Sequence, residues 1–286
     1  MKITAELRIT TAFLVFFLFV SCSSASNNTG EVYVQRLQAE RMLELGNREA
    51  DRGNYDTALQ LVNDSKRMAI LVDDPSLQVR TGLSLGNVFF NIGLRDEAFA
   101  EWDTALAEAE VRGTVELAAV SRVHIARGKL LSGGMDAQSA LDQVNKELNT
   151  IKSDQLYIAF SWLVIGLSQR ELGLYREAET SVRRSLDIHE KGLYFEQAAY
   201  DWFVIASVRS LSGSYNSAVQ ALQSAIDFDR RVENSWGLAS DWRALGDVYK
   251  KDGKDRESRE AYLRAASILR ALGSDDEARK MEAHAE

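Results

Sequence analysis

The sequence predicts an all-α solenoid of six antiparallel helix pairs closed by a C-terminal capping helix, and three observations carry that expectation. Proline occurs once among 286 residues, at Pro75, where ordinary usage would place about fourteen, so little interrupts a helix. Gly53, Gly93, Gly133, Gly173, Gly213 and Gly253 recur every forty residues without a slip. Two further columns keep the same period: the always-small Gly46, Gly86, Ala126, Gly166, Ala206 and Gly246, and the always-aliphatic Leu45, Leu85, Ile125, Ile165, Ile205 and Leu245. A fixed period of this length marks a stack of identical supersecondary units.

Composition agrees with a folded domain, at 45% hydrophobic and 27% charged residues. The net charge of -8 becomes -9 once residues 1 to 21, with Lys2, Glu6 and Arg8, are removed. An acidic chain is a poor partner for nucleic acid, which needs a basic surface.

In chain order, residues 1 to 21 read as a signal segment: Lys2 and Arg8, then an apolar run from Ala12 to Val20 that is too short to span a bilayer, which takes about 20 residues. Ser21-Cys22-Ser23-Ser24 follows at once, and Cys22 is the only cysteine. This arrangement resembles the lipobox of bacterial lipoproteins, although Phe19 stands where leucine is usual. The resemblance implies cleavage before Cys22, lipid attachment to its thiol, and a membrane-anchored protein facing the periplasm or the cell surface. Ser23 after the cysteine favours the outer membrane. The alternative is an ordinary secretory signal cut after Ala25. Residues 22–34 begin with small polar residues and read as a flexible tether. With one cysteine no disulfide can form within the fold.

The solenoid is expected over residues 35–286, with units near 39–78, 79–118, 119–158, 159–198, 199–238 and 239–273 and a cap at 274–286. The forty-period glycine fits the left-handed position that closes helix A of each unit. The small column lets helix B approach closely, and the aliphatic column faces the interhelical core. Ala58, Ala98, Ala178, Ala218 and Ser258 are the matching small residues on helix B. The third unit departs, with Gln138 in that place and Ala137 and Ala140 nearby, so a local shift or hinge is expected there. Asp74-Pro75 marks a helix start. Ser274-Asp275-Asp276-Glu277 reads as a capping box opening a polar final helix that shields the end of the stack.

Trp242-Arg243-Ala244-Leu245-Gly246-Asp247-Val248-Tyr249 followed by Gly253, Tyr262 and Ala265 resembles a tetratricopeptide repeat. So do Leu85-Gly86, Gly93, Ala98, Trp102 and Ala105, as do Trp162, Gly166, Gly173 and Ala178 and Trp202, Ala206, Gly213 and Ala218. The resemblance spans about residues 36 to 275. It implies a right-handed solenoid whose A helices line a concave, protein-binding face. A period of forty rather than thirty-four, and the missing helix-B proline, leave the shape of the groove open.

On that resemblance the middle of the concave face holds Val120, Val123, Phe160, Leu163, Tyr200 and Phe203, an apolar and aromatic set of the kind that marks a binding site when exposed. The alternative is that these residues face a neighbouring helix. Asn47 and Asn87 share a column with Arg127, and a carboxamide there can both donate to and accept from an extended peptide; the other reading is a solvated helix face. Leu43 and Leu83 stand where a clamp for a terminal carboxylate would need lysine. Trp162, Trp202 and Trp242 read as packing residues. His124, His189 and His284 have no neighbours at metal-ligand spacing, and no phosphate loop, nucleophile elbow or zinc-protease helix is present. The expectation is a non-enzymatic, cofactor-free scaffold that binds an envelope protein or peptide. The alternative implied by resemblance is an accessory of a TRAP-type transporter handling small apolar ligands.

Overall fold

The computed structural model describes residues 28–112 and 114–286, and every regular element among them is helical. The expected signal segment, Cys22 and the first part of the tether lie outside the described residues. The helices are α1 (Asn28–Asp51), α2 (Tyr55–Leu71), α3 (Pro75–Asn91), α4 (Arg95–Val111), α5 (Val115–Ser132), α6 (Ala137–Leu148), α7 (Gln155–Glu171), α8 (Tyr175–Lys191), α9 (Phe195–Leu211), α10 (Tyr215–Arg231), α11 (Ser235–Lys251), α12 (Asp255–Ala271) and α13 (Asp275–His284). None of them is long and apolar enough to cross a membrane.

Odd-numbered helices α1 to α11 are the A helices of six units and even-numbered α2 to α12 their B helices. Each A helix packs on its own B helix, each B helix on the next A helix, and successive A helices also touch. The A helices therefore form the inner layer of a right-handed, tetratricopeptide-like α-solenoid, capped by α13 against α12.

The small column works by leaving room for one bulky residue sixteen places later on helix B. A Cβ at Gly46 would sit 2.6 Å from Val62 and one at Gly246 2.7 Å from Tyr262; at Gly86 it would overlap the Trp102 indole and at Gly166 the Val182 side chain. Ala58, Ala98, Ala178 and Ala218 are fully buried opposite them. In the aliphatic column Leu85, Ile125, Ile165, Ile205 and Leu245 are buried, but Leu45 is 37% exposed. Its position faces a preceding unit, and among the described residues α1 has none before it.

Two further expectations need correction and a third needs refinement. Residues 28–34, expected as tether, are the first turns of α1; once Ala39 and Leu43 pack against the next helices, extending the helix backwards needs no new nucleus. Ser274 flanks α13 but its side chain caps nothing, so the acidic first turn, Asp275 to Glu277, complements the helix dipole instead. The tryptophans read as packing residues do pack against the cores, but with one face outside them: Arg184 lies 4.3 Å from the Trp162 ring centroid, Arg264 4.5 Å from Trp242 and Arg183 5.7 Å from Trp202, each cation covering a ring face.

The irregular third unit is a two-residue slip. Its helix B, α6, has 12 residues where the other five have 17. Its buried Ala140 and Val144 stand two places later than Ala178 and Val182 in the next unit. The cause is local: Asp136 accepts from the Ser139 amide and hydroxyl, which starts the helix at Ala137. Glu116 then binds the Lys152 and Ser153 amides at 2.7 Å, shortening the link so that α7 begins in register.

At the turns from B to A helices the left-handed position is held by Asp73, Leu193 and Glu233, at φ 49°, 60° and 58°. A β-carbon there costs about 1–2 kcal/mol. Leu193 is 68% exposed, so Leu193→Gly sacrifices little packing and should raise stability by about 0.5–1 kcal/mol after the entropy of glycine is deducted. An unchanged or lower urea midpoint would contradict that account of the turn.

Candidate binding face

The inner layer places the predicted residues in two groups and leaves others out. Val120, Val123 and Leu163 are buried in the cores between units, so they offer no surface to a ligand; of the two readings open in the sequence, they follow the one in which the side chain faces a neighbouring helix. Leu43 and Leu83 are buried likewise. A forty-residue unit has long helices whose inner positions press against the next A helix, and this takes the middle of the face out of solvent.

The first group joins α3, α5 and α7. His124 Nδ1 lies 2.9 Å from Asn87 Oδ1; an amide oxygen only accepts, so Nδ1 carries the proton. Phe160 stacks on the imidazole, with centroids 4.3 Å apart and planes at 25°. Burial, helped by the nearby Arg127 charge, pushes His124 down to about 3, so the ring is neutral at every physiological pH. Asn87 is therefore engaged through its oxygen and keeps its NH2 for other acceptors. Asn47, its repeat counterpart, is exposed.

Arg127, in the same column, belongs with this group, and the sequence reading passed over it. Its guanidinium lies 5.9 Å from the Phe90 centroid, and its Nε is buried with no hydrogen-bond partner among the described residues. A charged residue in an inner column was the available signal. On α3, Arg80 approaches Tyr157, whose hydroxyl burial pushes up to about 12 although the Arg80 charge works against the shift.

The second group is on α9. Tyr200 and Phe203 stack with centroids 6.2 Å apart and planes at 13°, and Tyr200 is 40% exposed. One face thus presents a flat aromatic pair, and the neighbouring units add amide and guanidinium donors. That combination suits an extended peptide, whose side chains cover rings while its carbonyls and carboxylates take N–H donors.

A histidine, an aspartate and a serine gathered between α8 and α9 are structural. Ser185 Oγ donates to Asp201 Oδ1 at 3.1 Å and His189 Nδ1 lies 2.7 Å from Asp201 Oδ2. The serine binds the carboxylate rather than the imidazole, so the histidine cannot take its proton, and all three are buried between α8 and α9. No group of three or more metal-ligating side chains occurs among the described residues. Two open surface clefts, one lined by Val115, Arg122 and Lys146 and the other by Tyr175, Glu179 and Arg209, include none of Phe160, Tyr200 or Phe203.

No protein-family model and no curated protein matches the chain. Solved structures do. A Rap protein complexed with Competence and Sporulation Factor aligns with a TM-score of 0.58 at 17% identity, over 86% of this chain and 73% of that one. BtubC from P. vanneervenii gives 0.55 at 15% identity, over 79% and 92%. A putative kinesin light chain from Podosopora anserina with nearly identical TPR-like repeats gives 0.52 at 18% identity, over 70% and 97%. At these identities the likeness establishes the fold.

Proposed function

We propose that the chain is a scaffold that takes a protein or peptide on its inner face and is held at a bacterial envelope by a lipid on Cys22. The observation that carries the binding half is the stacked Tyr200–Phe203 pair with Tyr200 open to solvent on the A-helix layer. Exposed aromatic side chains of this kind are the usual anchors of an interface, where burying them supplies most of the binding energy. The half-buried Asn87 and Arg127 bring amide and guanidinium donors of the kind that fix an extended chain. A fold neighbour was crystallised with a bound factor, which is consistent with that use of the fold. Support for the anchor is the apolar run that ends at Cys22.

The test compares the native chain with a Tyr200→Ala, Phe203→Ala variant by crosslinking in intact cells. A specific protein partner retained by the first should bind the second about tenfold more weakly or worse, since losing two anchors costs over 1.4 kcal/mol. If no partner depends on the pair while small apolar molecules co-purify, the transport alternative takes its place. Labelling with a radioactive fatty acid, lost in Cys22→Ser, checks the anchor separately.

A further inference from the structure

The first unit touches the fifth and sixth, far along the chain. Gln197 Nε2 at the start of α9 donates to Asp51 Oδ2 at the end of α1, 2.8 Å away across 146 residues. Beside it the Trp236 ring, at the start of α11, packs directly on Gly53, where any β-carbon would overlap the indole. The contact joins the A-to-B turn of unit 1 to the B-to-A edge of units 5 and 6, which are opposite edges of the helical ribbon. The ribbon has therefore come round one superhelical turn between them, like a split washer whose ends meet.

The charges at this seam are mostly of one sign. Asp51 faces Glu196 of α9; the atoms crowded around its carboxyl, together with that charge, push it up to about 7, although the residue itself remains exposed to solvent. Partial burial, and after it the Asp51 charge, raises the Tyr55 hydroxyl of α2. Glu196 also acts on Asp229 of α10, itself paired with Asp241 of α11. Of the cations, Arg231 lies over the Phe195 and Phe228 rings at 4.9 and 5.4 Å, and Arg52 has a buried Nε without a partner. The seam consists of few contacts, so opening it costs little compared with unfolding a unit.

We propose that this seam is a latch that closes the superhelix on itself, and that a negative charge gained at Asp51 opens it. Uncharged, Asp51 accepts from Gln197 and lies against Glu196 without penalty. Ionised, it meets Glu196 as a like charge with only an amide between them, and unit 1 swings off units 5 and 6. The closed state keeps a proton that the open state loses, so the open-to-closed ratio rises between about pH 4 and 7 and is level above. The ceiling is about tenfold per pH unit; Asp51 is exposed, and screening by water holds the change well below that. The latch controls access to the inner face whatever occupies it, and its test is independent of any partner.

Spin labels at Asp56→Cys in unit 1 and Lys191→Cys, at the end of α8 where unit 4 leads into α9, in the full chain with Cys22→Ser, report the separation of unit 1 from the edge that carries Gln197 by pulsed electron resonance. The expected result is one short distance at pH 5 that gives way to a longer, broader distribution by pH 8. Asp51→Asn should keep the short distance throughout. Gln197→Glu, which adds a carboxylate at the seam, should show the long distribution from about pH 5 upward. Circular dichroism confirms in each case that the helices persist. An unchanged distance from pH 5 to 8 in the parent, or a Gln197→Glu variant as closed as the parent at pH 8, overturns the proposal.

Discussion

Replacing Trp102 with alanine should destabilise the protein by about 3–5 kcal/mol, in the range of large aromatic truncations in close-packed cores. Trp102 is fully buried on α4, and its Nε1 donates to the Leu83 carbonyl at 3.2 Å. Phe99 meets it edge-on at 5.4 Å, Phe90 lies tilted at 5.6 Å and His124 at 6.2 Å. Two glycines make way for it: a β-carbon on Gly86 or on Gly128 would overlap the indole. The indole is therefore wedged between α3 and α5, and its loss leaves a cavity and removes the side-chain bond that ties α4 to the α3 backbone. Because stability in a solenoid passes through nearest-neighbour interfaces, the loss should separate units 1 and 2 from the rest and broaden the urea transition. Gly128→Ala attacks the same packing from the other side, since a rigid ring cannot yield as an aliphatic chain can, and it should cost upwards of 1 kcal/mol. A Trp102→Ala variant less than 1 kcal/mol below the parent would show that the indole fills no essential space.

The contrast between Gly86 and Gly128 shows how far the sequence could be read. Gly86 sits in a column repeated through the chain, and repetition reveals which face of each A helix meets its B helix. The left-handed turns from Gly53 to Gly253 were legible for the same reason. Gly128 has no counterpart in other units, so nothing in the period connects it with Trp102, and only tertiary packing shows why it is there. The inner face suffered from a second limit. A period fixes what happens within a unit but not the rotation from one unit to the next, and that rotation decides whether Val123 and Leu163 meet solvent or a neighbouring helix. The contact of Asp51 with Gln197 lies one step further away still, because it depends on the rotation summed over four units. Of the candidate site, the Tyr200–Phe203 pair and the column holding Asn87 were legible; the engagement of Asn87 by His124 and the importance of Arg127 were not.

Contact between adjacent units also brings acids together, and Asp241→Asn should stabilise the protein by on the order of 2 kcal/mol at pH 8, because the buried Asp241 carboxyl must hold a proton there that the unfolded chain has given up. Positions 189 and 229 are equivalent in successive units, as are 201 and 241. In the first pair His189 faces Asp201. In the second, Asp229 faces Asp241, both buried, with one Asp241 oxygen lacking a hydrogen-bond partner among the described residues. Burial raises both carboxyls above the ordinary range, and the Asp229 charge raises Asp241 further, so at neutral pH the pair holds one proton between them. Asn234 Nδ2 supports the shared charge, donating to Asp229 Oδ1 at 2.9 Å, which marks Asp229 as the ionised member. The sign of the pH effect follows from the raised values. The folded pair keeps a proton that the unfolded chain has lost, so stability falls as pH climbs above about 4 and continues to fall until the pair has given up its last proton. Asp241→Asn retains a donor toward Asp229 and removes the part of that descent that Asp241 causes, leaving the smaller part due to burial of Asp229, so parent and variant should converge near pH 4 and diverge in alkali. Asp201→Ala is the counter-experiment: it strands the His189 Nδ1 and the Ser185 hydroxyl in a buried site and should cost about 1–3 kcal/mol. Urea unfolding of the three proteins from pH 4 to 9 decides the matter, and a parent whose stability rises from pH 5 to 8 while Asp241→Asn gains nothing would mean the two carboxyls do not share a proton.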